Sequence, residues 1–94
     1  MPAQDATIAR LLTVRGHVQG VFFRDSTRRE AQRRDVRGWA ANRTDGSVEV
    51  FLEGRPADVE AVTDYCRRGP RGAAVEHVDV RECEPQTLGG FRVR

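Results

Sequence analysis

Ninety-four residues, 38% hydrophobic and 32% charged, describe one soluble globular domain, with room for one core and none for a second domain built to bind substrate. Net charge is +2, from 16 basic and 14 acidic residues, too small to call for nucleic acid or another polyanionic partner. No apolar run approaches the roughly 20 residues that span a bilayer, and residues 1–6 are too short and polar for a secretory signal, so a cytoplasmic protein without membrane contact is expected.

The chain reads as a flexible tail over residues 1–7 and a single domain over 8–94. Ile8 to Arg15 alternates well enough for a first strand, although Leu11 and Leu12 blur its period of two. The run ends in a loop bounded by Gly16 and Gly20. Behind it, Phe23 to Arg34 reads as a helix in which Phe23, Thr27 and Ala31 recur every four residues as a narrow packing stripe. Val36 to Asn42 makes a second strand, opened through Gly38 and carrying Trp39. Asp45-Gly46 is a strong turn signal. After it Val48, Val50 and Leu52 alternate with Glu49, Phe51 and Glu53 in a third strand with unequal faces. Pro56 sits where the first turn of a second helix tolerates it. Val59, Val62 and Cys66 share that helix's apolar side, and Gly69-Pro70-Arg71-Gly72 stops it. A fourth strand follows from Ala74 to Glu82. Gly89-Gly90 forms a hinge before a short fifth, Phe91 to Arg94.

The order β-α-β-β-α-β with a short terminal strand is the α+β, split-βαβ, ferredoxin-like sandwich, a mostly antiparallel sheet with two helices on one face. This topology carries Arg24 and Asn42, distant in sequence, to the same end of the sheet. Cys66 and Cys83 lack CxxC spacing and read as free thiols. His77 has no spaced partner for a metal, so neither metal nor cofactor is expected.

Residues 16–24 carry the chemistry. Main-chain N–H groups in a glycine-bounded loop, together with the unpaired donors of a helix start, form a cradle for an anion. Arg24 adds a fork of charged donors matched to phosphate oxygens. Arg24, Arg28, Arg29, Arg33, Arg34 and Arg37 gather around the first helix and draw small anions toward the loop, partly offset by Glu30 and Asp35. Outside this setting Arg24 would suit a solvated helix face and Asn42 a hairpin position. Gln19 either organises the loop or approaches substrate. His17 reads as an exposed loop side chain and Trp39 as a packing residue. Asp25, Ser26 and Asp45 read as helix-start and turn residues.

In these segments the chain resembles the acylphosphatases. The likeness rests on Gly16-His17-Val18-Gln19-Gly20-Val21-Phe22-Phe23-Arg24, on Gly38-Trp39-Ala40-Ala41-Asn42, on Asp45-Gly46-Ser47-Val48-Glu49 and on Phe91-Arg92-Val93-Arg94. It covers roughly residues 8–94. The resemblance implies a ferredoxin-like hydrolase that cleaves the carboxyl-phosphate mixed anhydride of acyl phosphates. It further implies that Arg24 binds the phosphoryl group and Asn42 positions the attacking water. Main-chain donors from Gln19, Gly20, Val21, Phe22 and Phe23 would hold the phosphate. A small-molecule acyl phosphate is then the partner, inorganic phosphate a product or inhibitor, and a monomer the working unit. An RNA-binding module of this topology would need aromatic platforms on the central strands; Phe51 offers one, and the first strand offers none. A sheet-face ligand sensor or assembly domain would leave the anion loop without a purpose.

Overall fold

Period-two alternation builds the sheet, and the computed structural model describes residues 6–94 of the chain. Strand β1 (Ile8–His17) and strand β3 (Val48–Gly54) run antiparallel, with Leu12 opposite Val50 and Val14 opposite Val48. Strand β2 (Arg37–Asn42) adds Ala40 beside Val50. These side chains, with Leu52, are fully buried on one face. Helix α1 (Phe23–Arg33) packs Phe23, Thr27 and Ala31 onto that face, and helix α2 (Pro56–Arg68) packs Val59, Val62, Thr63 and Cys66. Burial is the main cause that pushes the Cys66 thiol up to about 12, over the opposing contact with the Thr27 hydroxyl at 3.9 Å, so Cys66 acts as a small apolar filler. Strand β4 (Ala74–Cys83) and strand β5 (Phe91–Val93) complete a five-stranded sheet of order β4-β1-β3-β2-β5, antiparallel except for the parallel β2–β5 pair. Among the described residues no helix is long and apolar enough to cross a membrane.

The expected elements match these to within one residue, except the first strand. β1 continues through Gly16 and His17, which pair with Val75 and Ala74 after a register shift between Arg15 and Gly16. A bulge of this kind bends the strand end. Gly16 makes it possible: its φ is 128°, and a Cβ there would lie 2.2 Å from the Ala74 carbonyl oxygen. The loop expected to open at Gly16 therefore opens at Val18. The tail expected over 1–7 lies outside the described residues, apart from 6 and 7.

The second face of the sheet is better covered than alternation suggested. Phe51 is buried against Trp39, their rings stacked at 6.1 Å and 15°, and the Arg94 guanidinium lies 4.3 Å from the Trp39 ring centre. Glu53, on the same face as Phe51, is buried as well. Because β4 and β5 occupy opposite edges, residues 84–90 must cross between them. Glu53 holds that crossing: its carboxylate accepts main-chain N–H groups of Gln86 (2.6 Å), Thr87 (3.2 Å) and Leu88 (2.5 Å), and Arg37 Nε at 3.4 Å. Burial by itself would push this carboxyl up. The donors from Leu88, Gln86, Arg37 and Thr87 outweigh that and hold it below the ordinary carboxylate range.

Glu53→Gln turns an amide N–H₂ toward main-chain donors, and we expect a loss of about 1–3 kcal/mol in urea unfolding at pH 7. Since the folded carboxyl is depressed, its contribution is complete above the ordinary value of 4.5 and is lost as pH falls through the lower folded value. The gap between wild type and variant should therefore narrow on acidification below 4.5.

Candidate active site

The turn from β1 into α1 leaves main-chain donors without acceptors among the described residues. Phe22 occupies the N-cap position in left-handed backbone (φ 60°, ψ 26°), and its side chain cannot cap the helix. The Ser26 N–H donates to the Phe22 carbonyl at 3.0 Å and closes the first helical turn. The N–H groups before it are those that a helix start leaves for an outside acceptor. Gly20, at φ 76°, supplies the second left-handed residue that the loop needs to turn in so few steps.

At this loop lies a concavity of about 330 Å³. Gly20, Phe22, Phe23 and Arg24 contribute from the loop and helix start, Asn42 from the end of β2 and Val93 from β5. Of the residues expected at the site, these five (Gly20, Phe22, Phe23, Arg24 and Asn42) come together. Val21 and the Gln19 side chain do not line it. Val21 packs against the core. Gln19 reaches the β2–β3 turn instead, where its Nε2 donates to the carbonyls of Arg43 (2.8 Å) and Ser47 (2.9 Å). Between the two roles open to Gln19, its side chain takes the organising one. It ties the loop to the hairpin that carries Asn42.

Charge in the concavity favours an anion. Arg24 pairs with no Asp or Glu side chain among the described residues; its Nη1 donates to the oxygen of Arg94, the last residue of the sequence. Asp25 also lines the concavity, but Arg28 and Arg29 both pair with its carboxylate, the latter at 3.0 Å. The exposed Asn42 carboxamide makes no hydrogen bond to protein among the described residues. Behind it the hairpin is stiff. Asp45 Oδ1 accepts from Ser47 Oγ (2.6 Å) and Ser47 N (3.0 Å). These bonds, Ser47 Oγ first, with a smaller contribution from Arg15, bring the Asp45 carboxyl down to about 2. His77 is exposed and bonded to Asp79, away from the site.

The acylphosphatase family model matches residues 11–93. The chain belongs to the acylphosphatase family. It is 51% identical over 78 residues to the acylphosphatase of Syntrophus aciditrophicus, covering 83% of this chain and 79% of that one. It is 46% identical over 81 residues to that of Haloarcula marismortui, covering 86% and 89%. The solved structure of an acylphosphatase from Coxiella burnetii superposes with a TM-score of 0.90 at 36% identity, over 94% of this chain and 93% of that chain. The motif residues of this acylphosphatase thus stand on a backbone shared with its relatives.

Val18 and Asp25 also line the concavity without having been expected there, and two contributors from the chain end escape the sequence altogether. Val93 enters the site only because β5 lies parallel beside β2, and a three-residue strand carries no signal for its neighbour. The Arg94 contact with Arg24 follows from the same placement. We expect Gln19→Leu to lower stability by about 1–2 kcal/mol and kcat by about tenfold, measured by urea unfolding and by turnover of an acyl phosphate.

Proposed function

We propose that this acylphosphatase hydrolyses acyl phosphates with Arg24 and the loop N–H groups on the phosphoryl oxygens and Asn42 on the attacking water. The observation that carries this reading is the shared concavity. It holds a guanidinium that pairs with no Asp or Glu side chain and a carboxamide with no hydrogen-bond partner, both among the described residues, on separate elements facing one space.

An acyl phosphate presents a compact anion to the loop. Rate gain requires the donors to hold the equatorial oxygens more tightly as they rearrange in the transition state than in the bound substrate. The main-chain donors are fixed by the helix start and by the Gln19 tie, so little reorganisation is needed. Asn42 combines a carbonyl acceptor and an N–H₂ donor and can orient water for in-line attack. It cannot take that water's proton. The leaving group makes a base and an acid unnecessary: its parent acid has a pKa of about 4, and it departs as a carboxylate without protonation. A phosphoryl oxygen receives the proton from the water. The free thiols Cys66 and Cys83 suit a reducing cytoplasm.

Steady-state kinetics with benzoyl phosphate test the assignment. Arg24→Ala should lower kcat/KM by about a thousandfold and weaken competitive inhibition by inorganic phosphate. Asn42→Ala should lower kcat by about a hundredfold while phosphate inhibition stays within about threefold of wild type. Near-normal kinetics in either folded variant would remove that residue from the mechanism. An alkyl phosphate ester, whose alkoxide must be protonated to leave, should remain intact under the same conditions.

A further inference from the structure

The mechanism uses the polar floor of the concavity and leaves its rim without a role. Among the described residues three large apolar side chains are exposed, and two of them border this cavity: Phe22, 83% exposed, and Val93, 39% exposed. Phe22 is also in left-handed backbone, where glycine or asparagine is at home and a bulky aromatic is uncommon. The helix start would need only the main chain there, so neither the loop geometry nor the core accounts for the ring. Phe22 borders a second concavity as well, of about 420 Å³, that runs over Val21, Ser26 and Pro70. The ring is therefore a ridge between the anion cavity and an adjoining groove.

An acyl phosphate has one end for each. The loop and Arg24 take the phosphoryl group, and the acyl group must project past the rim. We propose that Phe22 and Val93 form an apolar rest for the acyl group, so that acyl phosphates with a bulky apolar or aromatic acyl part are preferred over acetyl phosphate. The inference rests on the phosphoryl assignment above. Phe22 supplies a flat face for an aromatic acyl group, Val93 supplies a second apolar wall, and both gain by shedding water when the acyl group covers them. Acetyl, with one methyl, covers little of either.

The test is the ratio of kcat/KM for benzoyl phosphate to kcat/KM for acetyl phosphate, which cancels any general loss of activity. Phe22→Asn suits the left-handed backbone while removing the ring, and should lower the ratio about five- to tenfold. Val93→Thr keeps the shape of the side chain and should lower it about threefold. Phe22→Leu, still apolar, should hold it within about twofold. An unchanged ratio in Phe22→Asn, or equal losses on both substrates, would overturn the proposal. Should Phe22→Asn fail to fold, Val93→Thr decides, and an unchanged ratio there overturns it. A wild-type protein inactive on both substrates would instead overturn the hydrolytic reading, and this inference with it.

Discussion

The Glu53 carboxylate is the contact on which the rest of the arrangement depends. Strands β4 and β5 lie on opposite edges of the sheet, so the chain has to cross between them on residues 84–90. A free crossing segment would leave main-chain donors exposed or unpaired. Glu53 collects three of them, from Gln86, Thr87 and Leu88, and Arg37 steadies its charge. A buried carboxylate is tolerable only when it is saturated with donors in this way. Its effect is felt at the far end of β5. Because the crossing is held, Gly38 N–H reaches the Gly90 carbonyl at 2.9 Å and Arg94 N–H reaches the Ala40 carbonyl at 2.8 Å, which lays β5 along β2. Val93 then walls the anion cavity, and the Arg94 main-chain oxygen receives Arg24.

The site itself depends on where charge is left uncompensated. This chain is rich in ion pairs: Asp25 with Arg28 and Arg29, Glu30 with Arg33 and Arg34, Glu49 with Arg43. Arg24 pairs with no Asp or Glu side chain among the described residues, and its Nη1 donates to the oxygen of Arg94, the last residue of the sequence. An anion entering the cavity would compete for Arg24 with that oxygen and with no acidic side chain. The two short ties, Gln19 to the hairpin carbonyls and Asp45 to Ser47, keep the loop and the Asn42 strand end in register. Preorganised donors of this kind lower a barrier more than flexible ones, because they need not move as charge shifts.

Much of this was legible in the sequence, for identifiable reasons. Strict alternation in Val48-Val50-Leu52, the Asp45-Gly46 turn and the four-residue spacing of Phe23, Thr27 and Ala31 are local signals, and they placed the elements to within a residue. The long motif around Arg24 and Asn42 points to one end of the sheet, and the two residues do line one concavity there. What escaped is non-local. The pairing of Gly16 with Val75 depends on a bulge against another strand, so the loop was begun two residues early. Glu53 looks in sequence like any outward-facing strand residue, because the main-chain donors it collects lie more than thirty positions away. Gln19 was undecided for the same reason, its acceptors being on the next hairpin. The order of the sheet, and with it Val93, could not be read from a three-residue strand.

The anion cavity is assembled from the turn after β1, the end of β2 and the last strand, segments that meet only once the whole chain has closed. No partly ordered form can therefore offer it. An oxyanion resting there would bind the native form alone and displace the unfolding equilibrium by mass action, by about 2.7 kcal/mol at a hundred times its dissociation constant. A bound oxyanion would then also act as a thermal protectant of the fold.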